Sequence, residues 1–391
     1  MDVETINVGI VGHIDHGKTT LLQKLSGKWT DTHSEELKRG ITLKLGYADI
    51  VIYKDSQGYN RVKGEPVRHV SFIDAPGHEM LMATMLSGAA IIDTALLVIA
   101  ANEGIKPQTR EHLIALQAKK IKHLIVVQSK IDLVDMEKAK KNYQEIKALL
   151  KGKYDDASVI PVSTQQDINL DALYQAIVEI PIPPRNVKAK PLFLIARSFD
   201  INKPGTTPDK LHGSVLGGTL KQGTLKVGDL LEIKPGMVLK EANQYHYKTV
   251  TTSIVRLFRG SEEVKTLTPG GSMSIETSLD MALGKTDALA GCVAAPPGVL
   301  PEITTSLQVR HQLFPEVSGI GGHVTVEPIK PSEMLMLSVN TSTSIGLVKR
   351  IHHDVLELSL KIPLVPFVGD NVGIARNVNN HWRLIGYGEI V

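Results

Sequence analysis

The residues best suited to chemistry lie near the start of the chain, in the stretch GHIDHGKT at 12–19. The stretch fits the phosphate-binding pattern G-x-x-x-x-G-K-[ST] and stands between a β-branched run at 6–11 and a helical pattern at 18–25. Its glycines let the backbone approach a polyphosphate, and N–H groups at the helix start point at the phosphate oxygens. Lys18 would reach the β- and γ-phosphates and Thr19 would hold Mg²⁺, whereas the plainer alternative is a glycine-rich turn before an ordinary helix. The candidate nucleotide ligands are Asp15, His16, Gly17, Lys18, Thr19 and Thr20.

A second group of residues indicates which base is bound. The tetrapeptide SKID at 129–132 follows an apolar strand pattern at 124–127. A carboxylate such as Asp132 can accept from both N1–H and N2–H of guanine, whereas adenine offers an acceptor at N1. The stem of Lys130 can lie along the base plane, and a late Ser-Thr pair could contact O6 through its backbone. The pattern predicts guanine specificity, with Ser129, Lys130, Asp132, Ser163 and Thr164 as candidate ligands.

The pentapeptide DAPGH at 74–78 closes a predicted strand and is placed to contact the terminal phosphate. A carboxylate at the end of a strand, such as Asp74, can reach Mg²⁺ through water. Gly77 can offer its N–H to the γ-phosphate. The His78 imidazole could orient or polarise an attacking water, although a lone histidine is more often polar surface.

A polar stretch at 28–42 ends in RGIT at 39–42, between the phosphate loop at 12–19 and the DAPGH motif at 74–78. Thr42 would supply a second Mg²⁺ ligand. Because the stretch is too hydrophilic to pack by itself, we expect it to become ordered only while a γ-phosphate is present. The sequence therefore predicts a nucleotide-dependent switch.

Composition favours a soluble, multidomain protein. The chain has 391 residues, of which 42% are hydrophobic and 22% charged, so two or three domains are expected. Its formal net charge is only +3, so the overall charge does not indicate nucleic-acid binding. The single cysteine, Cys292, excludes an intrachain disulfide and fits a reducing compartment. The apolar segment 81–101 resembles a membrane span, but it divides near Asp93 into a helical half and a β-rich half. We expect a cytoplasmic protein with no secretory signal and no membrane partner.

Up to about Pro181 the pattern alternates strand and helix, as in a doubly wound α/β domain. A proline-rich linker at 181–185 ends this part, and a second break at 295–301 divides a β-rich remainder into two predicted barrels. The predicted domains are therefore 1–183, 184–298 and 299–391. The predicted strands of the first domain are 6–11, 47–53, 69–74, 94–100, 123–128 and 158–161, and its predicted helices are 18–26, 79–89, 108–119, 137–150 and 170–180.

The order of these motifs, followed by two barrels, resembles that of the translational GTPases over the whole chain. Within them the chain is similar to the gamma subunits of archaeal and eukaryotic translation initiation factor two. The segments that carry this likeness are HSEELKRGITLKLGYAD at 33–49, LMATMLSGAA at 81–90, RSFDINKPGT at 197–206 and HWRLIGYGEI at 381–390. The resemblance implies an α/β P-loop GTPase domain followed by two β-barrel domains.

The resemblance also implies a slow, switch-type GTPase that carries methionylated initiator tRNA to the small ribosomal subunit and releases it after hydrolysis. It implies alpha and beta partner subunits, with alpha on the second domain and beta on the GTPase domain.

Ile14 and Ile41 match an apolar gate that keeps His78 from water, although either could merely pack. Asp15 could approach a second metal or the phosphates. Tyr47 could line the pocket for the methionyl-adenosine end or be a half-buried strand residue. Arg256, Arg259, Lys349 and Arg350 are candidate tRNA contacts, although such charges are usually solvated.

Two departures from the family pattern lead to expectations of their own. The family usually has an asparagine at the position of Ser129, where its side chain ties the base loop to the phosphate loop, so we expect looser nucleotide binding with guanine selectivity kept. The family also commonly inserts a four-cysteine zinc knuckle where this chain has DSQGYN at 55–60, so no zinc is expected.

Two rival functions remain open from sequence. One is another carrier of charged tRNA, either an elongator or a selenocysteinyl-tRNA factor. The other is the GTPase subunit of a sulfate adenylyltransferase, which shares the three-domain plan and would bind no tRNA. The segments similar to the gamma subunits argue against both.

Overall fold

The computed structural model describes residues 3–27, 46–74, 90–241, 244–317 and 324–391. Ile41, Thr42, Gly77 and His78 lie outside the described residues, as does the predicted helix 79–89. The chain divides into two compact units. The first comprises Met1–Pro183, Leu313–Glu327 and Ala375–Gly386, and the second comprises Pro184–Gln312, Pro328–Ile374 and Tyr387–Val391.

A seven-stranded sheet forms the centre of the first unit, in the order β3-β2-β4-β1-β5-β6-β7. Its strands are β1 (Thr5–Gly12), β2 (Gly46–Asp55), β3 (Gly58–Asn60), β4 (Glu65–Asp74), β5 (Thr94–Ala100), β6 (His123–Ser129) and β7 (Ser158–Pro161). From β4 to β7 the neighbours pair in parallel, whereas β2 and β3 run antiparallel at one edge. The central strands are buried along their whole length, as expected for a sheet covered on both faces.

Four described α-helices belong to this unit. They are α1 (Lys18–Ser26), α2 (Pro107–Ala118), α3 (Met136–Leu150) and α4 (Leu170–Glu179). Helix α3 begins where Asp135 accepts a hydrogen bond from the Lys138 N–H at 2.7 Å, a side-chain N-cap. Leu21, Leu22 and Leu25 of α1 are fully buried in the sheet core. In the described part of the chain, no helix is long and apolar enough to cross a membrane.

A tight hairpin joins β2 to β3 within the segment DSQGYN at 55–60, for which no zinc is expected from sequence. Asp55 organises the turn, because its Oδ1 accepts from the Gln57 N–H at 2.8 Å and its Oδ2 accepts from the Asn60 amide at 3.2 Å. Asn60 in turn accepts from the Val62 and Lys63 N–H groups, each at 2.9 Å. The turn is thus held by side-chain hydrogen bonds of the Asx type.

The first barrel closes through six strands, in the order β11-β16-β8-β9-β15-β12, with β11 pairing back onto β12. Phe193, Ile195 and Leu216 lie in its fully buried core. The strands of this region are β8 (Leu192–Phe199), β9 (Val215–Gln222), β10 (Leu225–Lys226), β11 (Leu230–Glu241), β12 (Gln244–Arg259), β13 (Glu262–Val264), β14 (Thr266–Leu267), β15 (Met273–Thr277) and β16 (Val293–Ala295).

The second barrel is closed in the order β17-β20-β19-β18-β21-β22. Its strands are β17 (Thr304–Leu313), β18 (Met334–Val339), β19 (Ser342–His352), β20 (Val355–Leu364), β21 (Asn371–Val378) and β22 (His381–Ile390). The predicted fold class, an α/β domain followed by two β-barrels, is therefore confirmed. The domain boundaries 1–183, 184–298 and 299–391 stay a prediction.

Candidate nucleotide-binding site

The phosphate loop turns the chain from β1 into α1 at the carboxyl edge of the sheet. Gly12 has φ 140°, and a Cβ there would lie 2.4 Å from the Val98 carbonyl oxygen, so only glycine fits. Gly17 has φ 90° and forms the N-cap of α1. Gly17 has no side chain that could cap this helix, and the N–H groups at a helix start favour a ligand of negative charge. Asp15 is exposed, with φ 62°.

Lys18 and Thr19 open α1, and both side chains donate to oxygens at this edge of the sheet. The Lys18 ammonium donates to the His13 carbonyl at 2.9 Å, across the phosphate loop. The Thr19 hydroxyl donates to Asp74 Oδ2 at 3.2 Å, because β1 and β4 are parallel neighbours and Asp74 ends β4. Hydroxyl and carboxylate oxygens are ligands that Mg²⁺ prefers, so this pair fits the ion.

His16 lies inside the loop rather than on its surface. Its side chain is fully buried, and Nδ1 lies 3.3 Å from the Val98 carbonyl oxygen. Burial lowers the pKa of His16 to about 4, so the ring is neutral at pH 7 and donates from Nδ1. The backbone N–H of His16 donates to the His13 carbonyl at 3.4 Å, and its side chain packs against β5.

The base-binding loop is tied to the phosphate loop by Ser129. The Ser129 hydroxyl donates to the His16 carbonyl oxygen at 2.7 Å, and Ser129 is buried. The two loops are therefore joined without the asparagine, because the short serine side chain reaches the backbone of the phosphate loop directly. The looser nucleotide binding expected from the missing asparagine stays a prediction.

The other base-contacting candidates lie at the same edge of the sheet. Lys130 follows β6 with φ 56°, and Asp132 is half-buried in a short 3₁₀ turn, Ile131–Leu133. The Val162 N–H donates to the Gln128 carbonyl at 2.7 Å, which places the next two residues beside the end of β6. Of that pair, Ser163 is fully buried and accepts from the Gln166 N–H at 3.2 Å, whereas Thr164 is half-buried.

Sequence reasoning missed Glu103, which carries charge into the middle of this site. Its carboxylate lies 3.7 Å from the Lys130 ammonium, 3.6 Å from the Lys106 ammonium and 4.0 Å from His16 Nε2. The signal was available, since Glu103 closely follows β5 and parallel strands end at one edge of a sheet. Gln108 and His112 of α2, which bond to amides of the phosphate loop, were missed as well.

The candidate tRNA contacts are spread over both units. Tyr47 is half-buried in β2, where it pairs with Ile73 near the end of β4. In the second unit, Arg256 Nε donates to Glu276 Oε2 at 2.7 Å, and Arg259 donates to the carbonyl and hydroxyl of Thr268 at 3.1 and 2.9 Å. Both arginines therefore already take part in contacts within the first barrel.

Comparison with known proteins supports this architecture over the whole chain. Residues 3–182 match the model of the Elongation factor Tu GTP binding domain, and residues 305–390 match that of Initiation factor eIF2 gamma, C terminal. Translation initiation factor 2 subunit gamma of Methanococcus maripaludis is 48% identical, covering 99% of this chain and 98% of the relative. The same subunit of Pyrococcus furiosus is 49% identical, covering 98% and 97%. The chain belongs to this initiation factor gamma family.

Members of the gamma family are translational GTPases, and this chain accordingly binds GTP and GDP and hydrolyses GTP. Among solved structures, a bacterial selenocysteine-specific elongation factor matches with TM-score 0.77 and 24% identity over 99% of this chain and 58% of that chain. Elongation factor SelB of M. maripaludis matches with TM-score 0.74 and 23% identity over 100% and 79%. These likenesses show the fold alone. The two rival functions, another carrier of charged tRNA and the GTPase subunit of a sulfate adenylyltransferase, are not favoured.

The tie made by Ser129 leads to a first prediction. Ser129→Ala is expected to speed GDP dissociation about tenfold, because the base loop loses a buried hydrogen bond to the phosphate loop. Ser129→Asn, whose amide can also donate, should stay within about threefold of the wild type. The measurement is displacement of a fluorescent GDP analogue. Ser56→Ala, at an exposed serine of the β2–β3 turn, is the control. Equal rates for Ser129→Ala and wild type would contradict the role of the tie.

Proposed function

We propose that the chain carries methionyl initiator tRNA to the small ribosomal subunit in its GTP state and releases it after GTP hydrolysis. The observation that carries the proposal is the identity of 48–49% to initiation factor 2 gamma subunits over 97–99% of both chains. Alpha and beta subunits are the proposed partners, alpha on the second domain and beta on the GTPase domain.

The nucleotide half of the proposal uses the site described above. Backbone N–H groups from Asp15 to Thr20 would bind the phosphates, and Lys18 would offset their charge. The Asp132 carboxylate would accept from guanine, the stem of Lys130 would cover the base, and the Ser163–Thr164 backbone would meet O6. Thr19, Asp74 and Thr42 would hold Mg²⁺, which when bound supplies positive charge beside the phosphates.

The switching half of the proposal depends on residues outside the described ranges. Thr42 and Gly77 would sense the γ-phosphate, so that its removal releases both segments. His78 would orient the attacking water, with Ile14 and Ile41 limiting its access. In the structure Ile14 is half-buried in the phosphate loop.

A cavity in the first barrel is a suitable size for the terminal nucleoside of the tRNA. Its volume is about 350 Å³, within the size range of small-ligand sites. Arg256 lies beside it and bonds to two lining residues, Glu276 at 2.7 Å and His212 at 3.0 Å. The other lining residues are Leu211, Gly213, Val255, Thr277, Ser278, Leu279, Asp280 and Met281. We propose that this cavity takes the 3′-terminal adenosine, with Arg259 of the same barrel as a further candidate contact. Tyr47 of the first unit remains a separate candidate tRNA contact.

The proposed function is tested by tRNA binding. Affinities would be measured for methionyl initiator tRNA and for a charged elongator tRNA, each with a GTP analogue and with GDP, at one fixed salt concentration. Tight binding that needs the analogue and selects the initiator supports the proposal. Absence of tRNA binding in both states would overturn it and revive the sulfate-activating alternative.

The Mg²⁺ ligands give a second prediction. Asp74→Asn is expected to raise by about tenfold the Mg²⁺ concentration that half-protects bound GDP from exchange, because the amide supplies no charge to the ion. Mg²⁺ titration of GDP dissociation checks this. Asp171→Asn, at an exposed carboxylate in the first turn of α4, makes the same charge change elsewhere. An unchanged Mg²⁺ midpoint in Asp74→Asn would refute the assignment.

A further inference from the structure

Two side chains of α2, one helical turn apart, bond to backbone amides of the phosphate loop. The Gly12 N–H donates to His112 Nδ1 at 2.8 Å, and the Ile14 N–H donates to Gln108 Oε1 at 3.3 Å. Residues at i and i+4 share one face of a helix, so a single stripe of α2 faces the loop. The amides from Asp15 onward follow this anchored segment directly.

His112 is suited to accept this bond. The residue is 3% exposed, and burial lowers the pKa of His112 to about 3, with Lys18 and His13 lowering it further. The ring is therefore neutral at pH 7, with its proton on Nε2 and a lone pair on Nδ1 directed at the Gly12 N–H. Loss of this acceptor would leave a buried amide without its partner, which is costly.

The residue before His112 fixes the helix to a strand far away in the sequence. Glu111 Oε1 lies 2.6 Å from an Arg383 guanidinium nitrogen, and the side chains are only 2% and 7% exposed. Arg383 lies in β22, in the segment Ala375–Gly386 that belongs to the same compact unit as α2. Removing one partner of a buried ion pair leaves an uncompensated charge, so this contact constrains the helix strongly.

We propose that α2 positions the phosphate loop. Gln108 and His112 fix the amides of Ile14 and Gly12, and the Glu111–Arg383 pair fixes the helix that carries them. Arg383, 272 positions from its partner in sequence, therefore acts on nucleotide affinity through α2 without contacting nucleotide.

The alternative is that His112 and the ion pair only stabilise the fold. The two cases differ in what nucleotide kinetics should show. A contact that only stabilises the fold lowers the unfolding midpoint and leaves the dissociation rate of bound GDP unchanged. A positioning contact raises that dissociation rate, and loss of the shorter hydrogen bond raises it more than loss of the longer one.

The test measures dissociation of a fluorescent GDP analogue and the denaturant unfolding midpoint on the full chain. His112→Leu should release GDP about tenfold faster, whereas His112→Asn, whose amide oxygen can occupy the Nδ1 position, should stay within about threefold. Gln108→Leu should raise the GDP dissociation rate only about threefold, because its bond to the Ile14 N–H is longer and Gln108 is only half-buried. Gln108→Leu also keeps the test decisive if His112→Leu does not fold. Arg383→Met should release GDP severalfold faster.

The matched control is Leu116→Ala, a fully buried position of the same helix that has no contact with the loop amides among those described. It should lower the unfolding midpoint and leave GDP dissociation within about twofold of wild type. The proposal is overturned if Leu116→Ala releases GDP as fast as His112→Leu. It is equally overturned if His112→Asn is as impaired as His112→Leu, or if Gln108→Leu and Arg383→Met both leave the rate unchanged.

Discussion

Replacement of Asp132 by asparagine is expected to weaken GDP and GTP binding about a thousandfold and to transfer affinity to xanthine nucleotides. The carboxylate offers two acceptors, which match N1–H and the N2 amino group of guanine. Asparagine offers one acceptor and one donor, so its amide N–H would face the guanine amino group. Xanthine carries a carbonyl at that position and restores the pairing. Dissociation constants for GDP and for xanthosine diphosphate, measured side by side, check the prediction.

Asp135→Asn provides the control for that exchange. It removes the same charge three residues further along, where the carboxylate caps α3 by accepting from the Lys138 N–H. It should affect the helix and leave base preference intact. The guanine assignment fails if Asp132→Asn keeps its GDP affinity, or if Asp135→Asn loses as much as Asp132→Asn does.

Local patterns were sufficient to predict most elements of the first domain. Strand β1, helix α1 and the glycines between them follow from side-chain periodicity and from backbone conformations that only glycine tolerates. Among described elements the bounds agree to within four residues. Strand β3 was missed because three residues, Gly58–Asn60, are too short for any period to show.

Contacts between distant segments were not predictable in the same way. The hydroxyl of Ser129 and the carbonyl of His16 are 113 positions apart, and Gly12 and His112 are 100 apart. A sequence shows that a serine stands where an asparagine is usual. It does not show that backbone curvature brings a carbonyl within reach of the shorter side chain. The same holds for closure of both barrels, which depends on strand register.

Two buried histidines beside the phosphate loop make the stability of the domain depend on pH. His16 and His112 both lie near Lys18, whose charge adds to burial in lowering their pKa values. A loop built to hold a polyphosphate concentrates positive charge and N–H groups. Neutral rings are therefore the form that this environment tolerates, and protonation of either ring opposes the folded state.

Acidification from pH 7 to pH 5 is accordingly expected to lower the free energy of unfolding by about 2 kcal/mol for each of these histidines, about 4 kcal/mol together. Their pKa values fall from 6.5 to about 4 for His16 and about 3 for His112. Between these values and 6.5 the unfolded state binds more protons than the folded state does. The stability contributed by the neutral rings is therefore fully present above pH 6.5 and declines as the pH falls. Far-UV circular dichroism during denaturant unfolding follows this change, since the described α-helices all lie between Lys18 and Glu179.

His112→Asn isolates one of the two groups, because it removes a titrating ring and keeps an acceptor for the Gly12 N–H. Its stability loss between pH 7 and pH 5 should be about 2 kcal/mol smaller than that of the wild type. Carboxylates contribute little in this window, because aspartate and glutamate side chains ordinarily titrate near pH values of about 4. If His112→Asn keeps the full wild-type dependence, His112 is not buried as a neutral ring and the loss originates elsewhere.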